Sequence, residues 1–109
     1  MSTRSYFGIQ LSVSTKVSLL TALLAVDGLV PSTVRELSIQ NDASSGAALL
    51  IGDANISSSR YGVELVNSAT APPFKIYGSG SDVQSAPIGA IFLLSAAGTI
   101  KANIEGWTG

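Results

Sequence analysis

Residues Arg35–Asp53 read RELSIQNDASSGAALLIGD. Leu37 and Ile39 alternate with Glu36, Ser38 and Gln40, which is the two-residue period of a half-buried strand. Asn41 to Gly46 is a polar run rich in turn formers. A second, more apolar run, Leu49 to Ile51, stops at Gly52-Asp53. Two strand-period runs separated by turn chemistry predict a β-hairpin. The stretch carries no nucleophile, base or phosphate-binding loop.

The same alternation recurs on both sides of it. Phe7, Ile9, Leu11 and Val13 interleave with Gly8, Gln10, Ser12 and Ser14, predicting a first strand. Tyr61, Val63 and Leu65 alternate with Gly62 and Glu64. Phe74 and Ile76 alternate with Lys75 and Tyr77. Gly89–Ser95 (GAIFLLS) is apolar at consecutive positions, as in a central strand. Ile100, Ala102 and Ile104 point one way, and Lys101, Asn103 and Glu105 the other. Between the strands lie the serine-rich loop Ala54–Arg60, a turn over Asn67–Pro73 and the glycine- and serine-rich loop Gly78–Pro87.

The early apolar run Val17–Val26 has Val17, Leu20, Leu23 and Leu24 at helical spacing. It predicts a helix N-capped by Ser14 or Thr15. Gly28 is then the expected C-terminal cap, with Pro31 beyond it. A strand is the competing reading. The function expected of the Leu stripe is packing over one end of a sandwich. About seven strands with one short helix predict an all-β, mainly antiparallel β-sandwich, jelly-roll-like, formed by a single domain over residues 1–109. Residues 1–5 are expected to form a flexible arm.

The chain has 109 residues, of which 46% are hydrophobic and 12% charged, about half the usual charged share. A surface so poor in charge suits a subunit that hides much of it in an assembly. The net charge is −1. That offers no basic footprint for nucleic acid and no polybasic membrane patch. The apolar run at Val17–Val26 is too short to span a bilayer, which needs about 20 residues. A strand-like segment sits before it, where a signal peptide would carry a short basic leader.

Cysteine and histidine are absent. Disulfides, thiolate metal sites and the commonest general base go with them. Ser57-Ser58-Ser59 has no Ser-x-x-Lys partner spacing. Asn41, Asp42, Asp53 and Asn55 could offer oxygen ligands for Ca²⁺, but no EF-hand spacing is present and turn chemistry explains them. No catalytic, cofactor or metal site is expected. Arg35 is either an inward group paired with a carboxylate or an exposed charge at the strand start. Among the aromatics, Phe7, Phe74 and Phe92 read as core. Trp107 has the outward parity of Lys101, Asn103 and Glu105. It is an interface anchor on that parity, or a lid on the core if Gly106 makes a bulge.

Val34–Gln40, then Leu50–Ser57 (LIGDANIS), then Arg60–Leu65 (RYGVEL), with a terminal apolar strand ending at Trp107, resemble small β-sandwich virion proteins of tailed bacteriophages. The resemblance covers about two-thirds of the chain, and its motifs are fold-forming. It implies a non-enzymatic capsid decoration (cement) protein, made in the host cytoplasm and carried on the virion. It also implies a homo-oligomer, a trimer foremost, whose partner is the major capsid protein or another virion protein. An adaptor, tail or fibre-tip protein, a carbohydrate-binding β-sandwich module and a pilus-like adhesion subunit are the alternatives. The residues expected to meet partners are Ser2, Thr3, Arg4 and Tyr6 in the arm, Ser79, Asp82 and Gln84 in the loop, and Trp107.

Overall fold

The computed structural model describes residues 5–67, 72–77 and 86–108. Among these residues ten strands and one helix follow in the order β1 (Tyr6–Val13), β2 (Val17–Ser18), α1 (Leu19–Val26), β3 (Thr33–Val34), β4 (Glu36–Asn41), β5 (Leu49–Gly52), β6 (Val63–Leu65), β7 (Phe74–Tyr77), β8 (Ala86–Pro87), β9 (Phe92–Ser95) and β10 (Ile100–Trp107). Seven of these strands answer to the seven read from the sequence. The additional ones, β2, β3 and β8, are two-residue strands too short to show a period.

One antiparallel sheet has the order β1-β10-β4-β7 and a second has β2-β9-β5-β6, with β3 and β8 forming a separate pair. The pairings nest: β1 with β10, β2 with β9, β3 with β8, β4 with β7 and β5 with β6. The first half of the chain therefore runs antiparallel to the second, with the β5–β6 connection at the apex. Folding this long ribbon over itself adds the pairs β4–β10 and β5–β9, which close the two sheets. The result is a jelly roll: eight sandwich strands in two four-stranded sheets.

This arrangement corrects the reading of Arg35–Asp53. β4 and β5 are not a hairpin. β4 pairs with β10 and β7, and β5 pairs with β9 and β6, so the turn between them crosses from one sheet to the other. Strand period and turn residues specify two strands and a reversal, but they do not say which edge each strand meets. What holds the crossing is side-chain chemistry. Asn41, buried at the end of β4, donates through Nδ2 to Ala47 O and Leu65 O, both at 2.9 Å. Ser45 Oγ accepts from Lys101 N at 3.0 Å, and Asp42 N donates to Lys101 O at 2.9 Å. Asn67 Nδ2 donates to Ser45 O. The turn is thus stitched to the start of β10 and the end of β6.

The inward positions follow the alternation. Phe7, Leu11 and Val13 of β1, Leu37 and Ile39 of β4, and Ile100, Ala102 and Ile104 of β10 are buried. They meet Leu49, Ile51 and Leu93 of the opposite sheet in one cluster that also takes Leu19, Leu23, Val30, Val34 and Ile88. Burial of this apolar area is the main stabilising term, at about 25 cal/mol per Å² removed from water. Gly106 also points inward, opposite Phe7 and Leu37. A β-carbon there would overlap the Phe7 ring. The register through Gly106 has no bulge, so Trp107 keeps its outward parity.

The helix starts later than expected. Val17 and Ser18 pair with Leu93 and Phe92, and Ser18 is the N-cap, its hydroxyl accepting from Thr21 N. Neither Ser14 nor Thr15 caps it, because the sheet claims the first apolar residues of the run. The C-cap is Asp27 in an extended conformation, and Gly28 does not take the left-handed conformation. The chain leaves α1 by an Asx-type turn, Leu29 N donating to Asp27 Oδ1 at 3.0 Å.

Candidate functional site

Direct cross-strand partners stand on the same face of a sheet. Across the outer face of the β1-β10-β4-β7 sheet, Tyr6 is opposite Trp107, Trp107 opposite Glu36, and Glu36 opposite Tyr77. One row therefore crosses all four strands and carries three aromatics. Tyr6, Trp107 and Tyr77 are 43%, 45% and 61% exposed. The Tyr6 and Trp107 rings lie with centroids 4.4 Å apart and planes tilted by 50°. Tyr6 Oη donates to Glu105 Oε2 at 2.9 Å, and that bond raises the phenol pKa above its ordinary value. Glu36 has Lys75 Nζ at 3.9 Å.

The row behind it holds Gly8, Glu105, Ser38 and Lys75. The next holds Gln10, Asn103 and Gln40, with Gln10 Nε2 donating to Asn103 Oδ1 at 2.9 Å. No aliphatic side chain stands at an outward position of these rows. The face is thus an aromatic strip backed by amides, hydroxyls and charges of both signs.

The strip lies at the end of the sandwich where the expected interface segments join it. Ser5 precedes Tyr6 and accepts from Thr108 N at 2.9 Å, and Arg35 N donates to Trp107 O at 2.7 Å. Tyr77 precedes the segment containing Ser79, Asp82 and Gln84. Ala86, after that segment, pairs with Val34 beside Arg35. The described residues flanking both expected interface segments and Trp107 itself therefore converge. Ser2, Thr3, Arg4, Ser79, Asp82 and Gln84 lie outside the described residues. Arg35 is exposed, as the strand-start reading has it.

Two further surfaces were not anticipated. Helix α1 buries Leu19 and Leu23 but leaves Leu24 and Val26 at 40% and 62% exposure. Leu24, expected in the inward stripe, faces out because the helix begins at Leu19 and its phase follows Leu19 and Leu23. No charged residue falls between Lys16 and Asp27, so the outer side of α1, where Thr21, Leu24, Ala25 and Val26 are exposed, carries no charge. The second surface is a cleft of about 270 Å³ lined by Gly52, Asp53, Arg60, Tyr61 and Gly62. Arg60 Nη2 meets Asp53 Oδ2 at 2.9 Å, which holds the Asp53 carboxyl below the ordinary carboxylate range. The cleft's two charges thus satisfy each other. The neighbouring serines bond each other, Ser57 Oγ lying 3.2 Å from Ser59 Oγ, with no base between them.

The four groups considered as Ca²⁺ ligands are separated. Asn41 and Asp42 are at the end of the sandwich where β4 stops, whereas Asp53 and Asn55 follow β5 at the opposite end. Among the described residues no three acidic side chains group as metal ligands would. No protein family model, characterised protein or solved structure is matched by the chain.

Proposed function

We propose that this chain is a non-enzymatic virion structural protein, a capsid decoration protein that binds the assembled shell and stabilises it. The observation that carries the reading is the exposed apolar side of α1, with Leu24 and Val26 on a helix that has no charged residue. An apolar patch of this kind on a chain with so few charges calls for a protein surface to cover it. The jelly roll suits the role, since viral capsid domains use it, although the fold by itself does not decide function. In this reading the residues before Tyr6 and those following Tyr77 add contacts to the major capsid protein or to neighbouring copies in a trimer. A protein that binds only the assembled shell stabilises it by mass action, and several contacts per oligomer add avidity.

The test is co-sedimentation with expanded capsids assembled from a tailed-phage major capsid protein. The protein should pellet with the shells and raise their melting temperature. The double variant Leu24→Gln, Val26→Gln should lose at least tenfold in shell affinity while melting as the parent does. A protein that stays monomeric and leaves the shells unchanged refutes the proposal.

A further inference from the structure

We propose that the outer face of the β1-β10-β4-β7 sheet binds a neutral oligosaccharide, laid across the strip formed by Tyr6, Trp107 and Tyr77. The inference stands on the geometry of that face and does not depend on the virion reading. The first argument is spacing. Trp107 and Tyr77 sit in one row with β4 between them, so their positions are two strand separations apart, about 10 Å. That is about the length of a disaccharide unit, so two ring platforms can each take one pyranose of an extended chain. Trp and Tyr present an apolar body with a polar tip, which suits a sugar whose ring face is C–H and whose rim is hydroxyl.

The second argument is what surrounds the rings. Glu36 lies between the two platforms, and Glu105, Ser38 and Lys75 form the row behind. These are short-range donors and acceptors for sugar hydroxyls. A protein partner would need a dry centre around its aromatic anchors, and the charged second row does not provide one. The two carboxylates outnumber Lys75, which is itself beside Glu36 at 3.9 Å. That balance disfavours phosphate or uronate groups, so single-stranded nucleic acid and acidic glycans fit poorly despite the stacking surface. The third argument is order before binding. The Tyr6 hydroxyl is held by Glu105 and its ring rests near Trp107, so this platform loses little freedom when a ligand arrives.

Trp107 is the chain's one tryptophan, so its emission reports on the strip. The isolated protein is titrated with cellohexaose, chitohexaose and β-1,4-mannohexaose, and with hexagalacturonate as the acidic counterpart. At least one neutral hexasaccharide should give a saturable emission change, and hexagalacturonate none. By calorimetry, Trp107→Ala and Tyr77→Ala should each weaken that binding at least tenfold. Tyr61→Ala, an exposed tyrosine outside the strip, should leave it unchanged. Tyr77 is the most exposed of the three, so its variant keeps a folded readout even if Trp107→Ala lowers the melting temperature. The proposal is overturned by no saturable response to any neutral probe, by a preference for hexagalacturonate, or by binding that survives Tyr77→Ala. Shell co-sedimentation of Tyr77→Ala separates the two functions, because the decoration reading predicts that Leu24 and Val26 carry that attachment.

Discussion

Gly106 shows how a single residue sets the face on which a neighbouring side chain appears. Its inward position is filled by the Phe7 ring, which leaves no room for a β-carbon. Gly106→Ala should therefore destabilise the protein by about 1–3 kcal/mol, the usual cost of overpacking, read as a lower urea midpoint at unchanged slope. Asp42 gives a prediction in pH. The Ser44 hydroxyl, the Asn103 amide and the Ser44 N–H all donate to its carboxylate and hold its pKa below the ordinary value. A depressed carboxyl contributes stability above the unfolded pKa of about 4 and loses it as the pH falls through the lower folded value. Melting temperature followed from about pH 6 down to about pH 2 should thus fall less steeply for Asp42→Asn than for the parent. A parallel acid limb would mean that the bonds do not favour the charged form.

At the scale of elements, the crossing from β4 to β5 is the decisive feature. Asn41 supplies donors to the carbonyls of Ala47 and Leu65, while its Oδ1 is buried with no partner among the described residues. Asn41→Ala would leave two carbonyls without their donor. The expected loss is about 1–3 kcal/mol by urea unfolding, partly offset because the buried Oδ1 is removed as well. The alternation in Glu36–Gln40 made β4 legible, and the polar run made the reversal legible. The partner strands were not legible, since a turn that leads into a hairpin and one that leads across a sandwich use the same residues. Helix α1 was legible as an element but not in phase: pairing of Val17 and Ser18 with β9 decides where it starts and hence that Leu24 faces out.

In the whole molecule the two chain ends form the longest ladder. β1 pairs with β10 over eight residues, from Tyr6 opposite Trp107 to Val13 opposite Ile100. β10 is central in its sheet, held by β1 on one side and β4 on the other. Loop closure across nearly the whole chain must precede that ladder, which slows folding. Refolding should accordingly take milliseconds to seconds. Amides of Ala102 to Gly106 should exchange with solvent at the rate of global unfolding, those of α1 faster. Fast exchange in β10 would argue against its central place.

The sequence by itself determined the fold class and most strand positions. These are local properties, written in a period of two residues and in turn formers. Only the tertiary structure decided that β4 and β5 belong to different sheets, that Leu24 is exposed, and that Tyr6, Trp107 and Tyr77 share one row. Each depends on register between strands far apart in the chain. Register is set by packing across the core, where Phe7 meets Gly106 and the inward residues of both sheets interlock, and no local pattern records it.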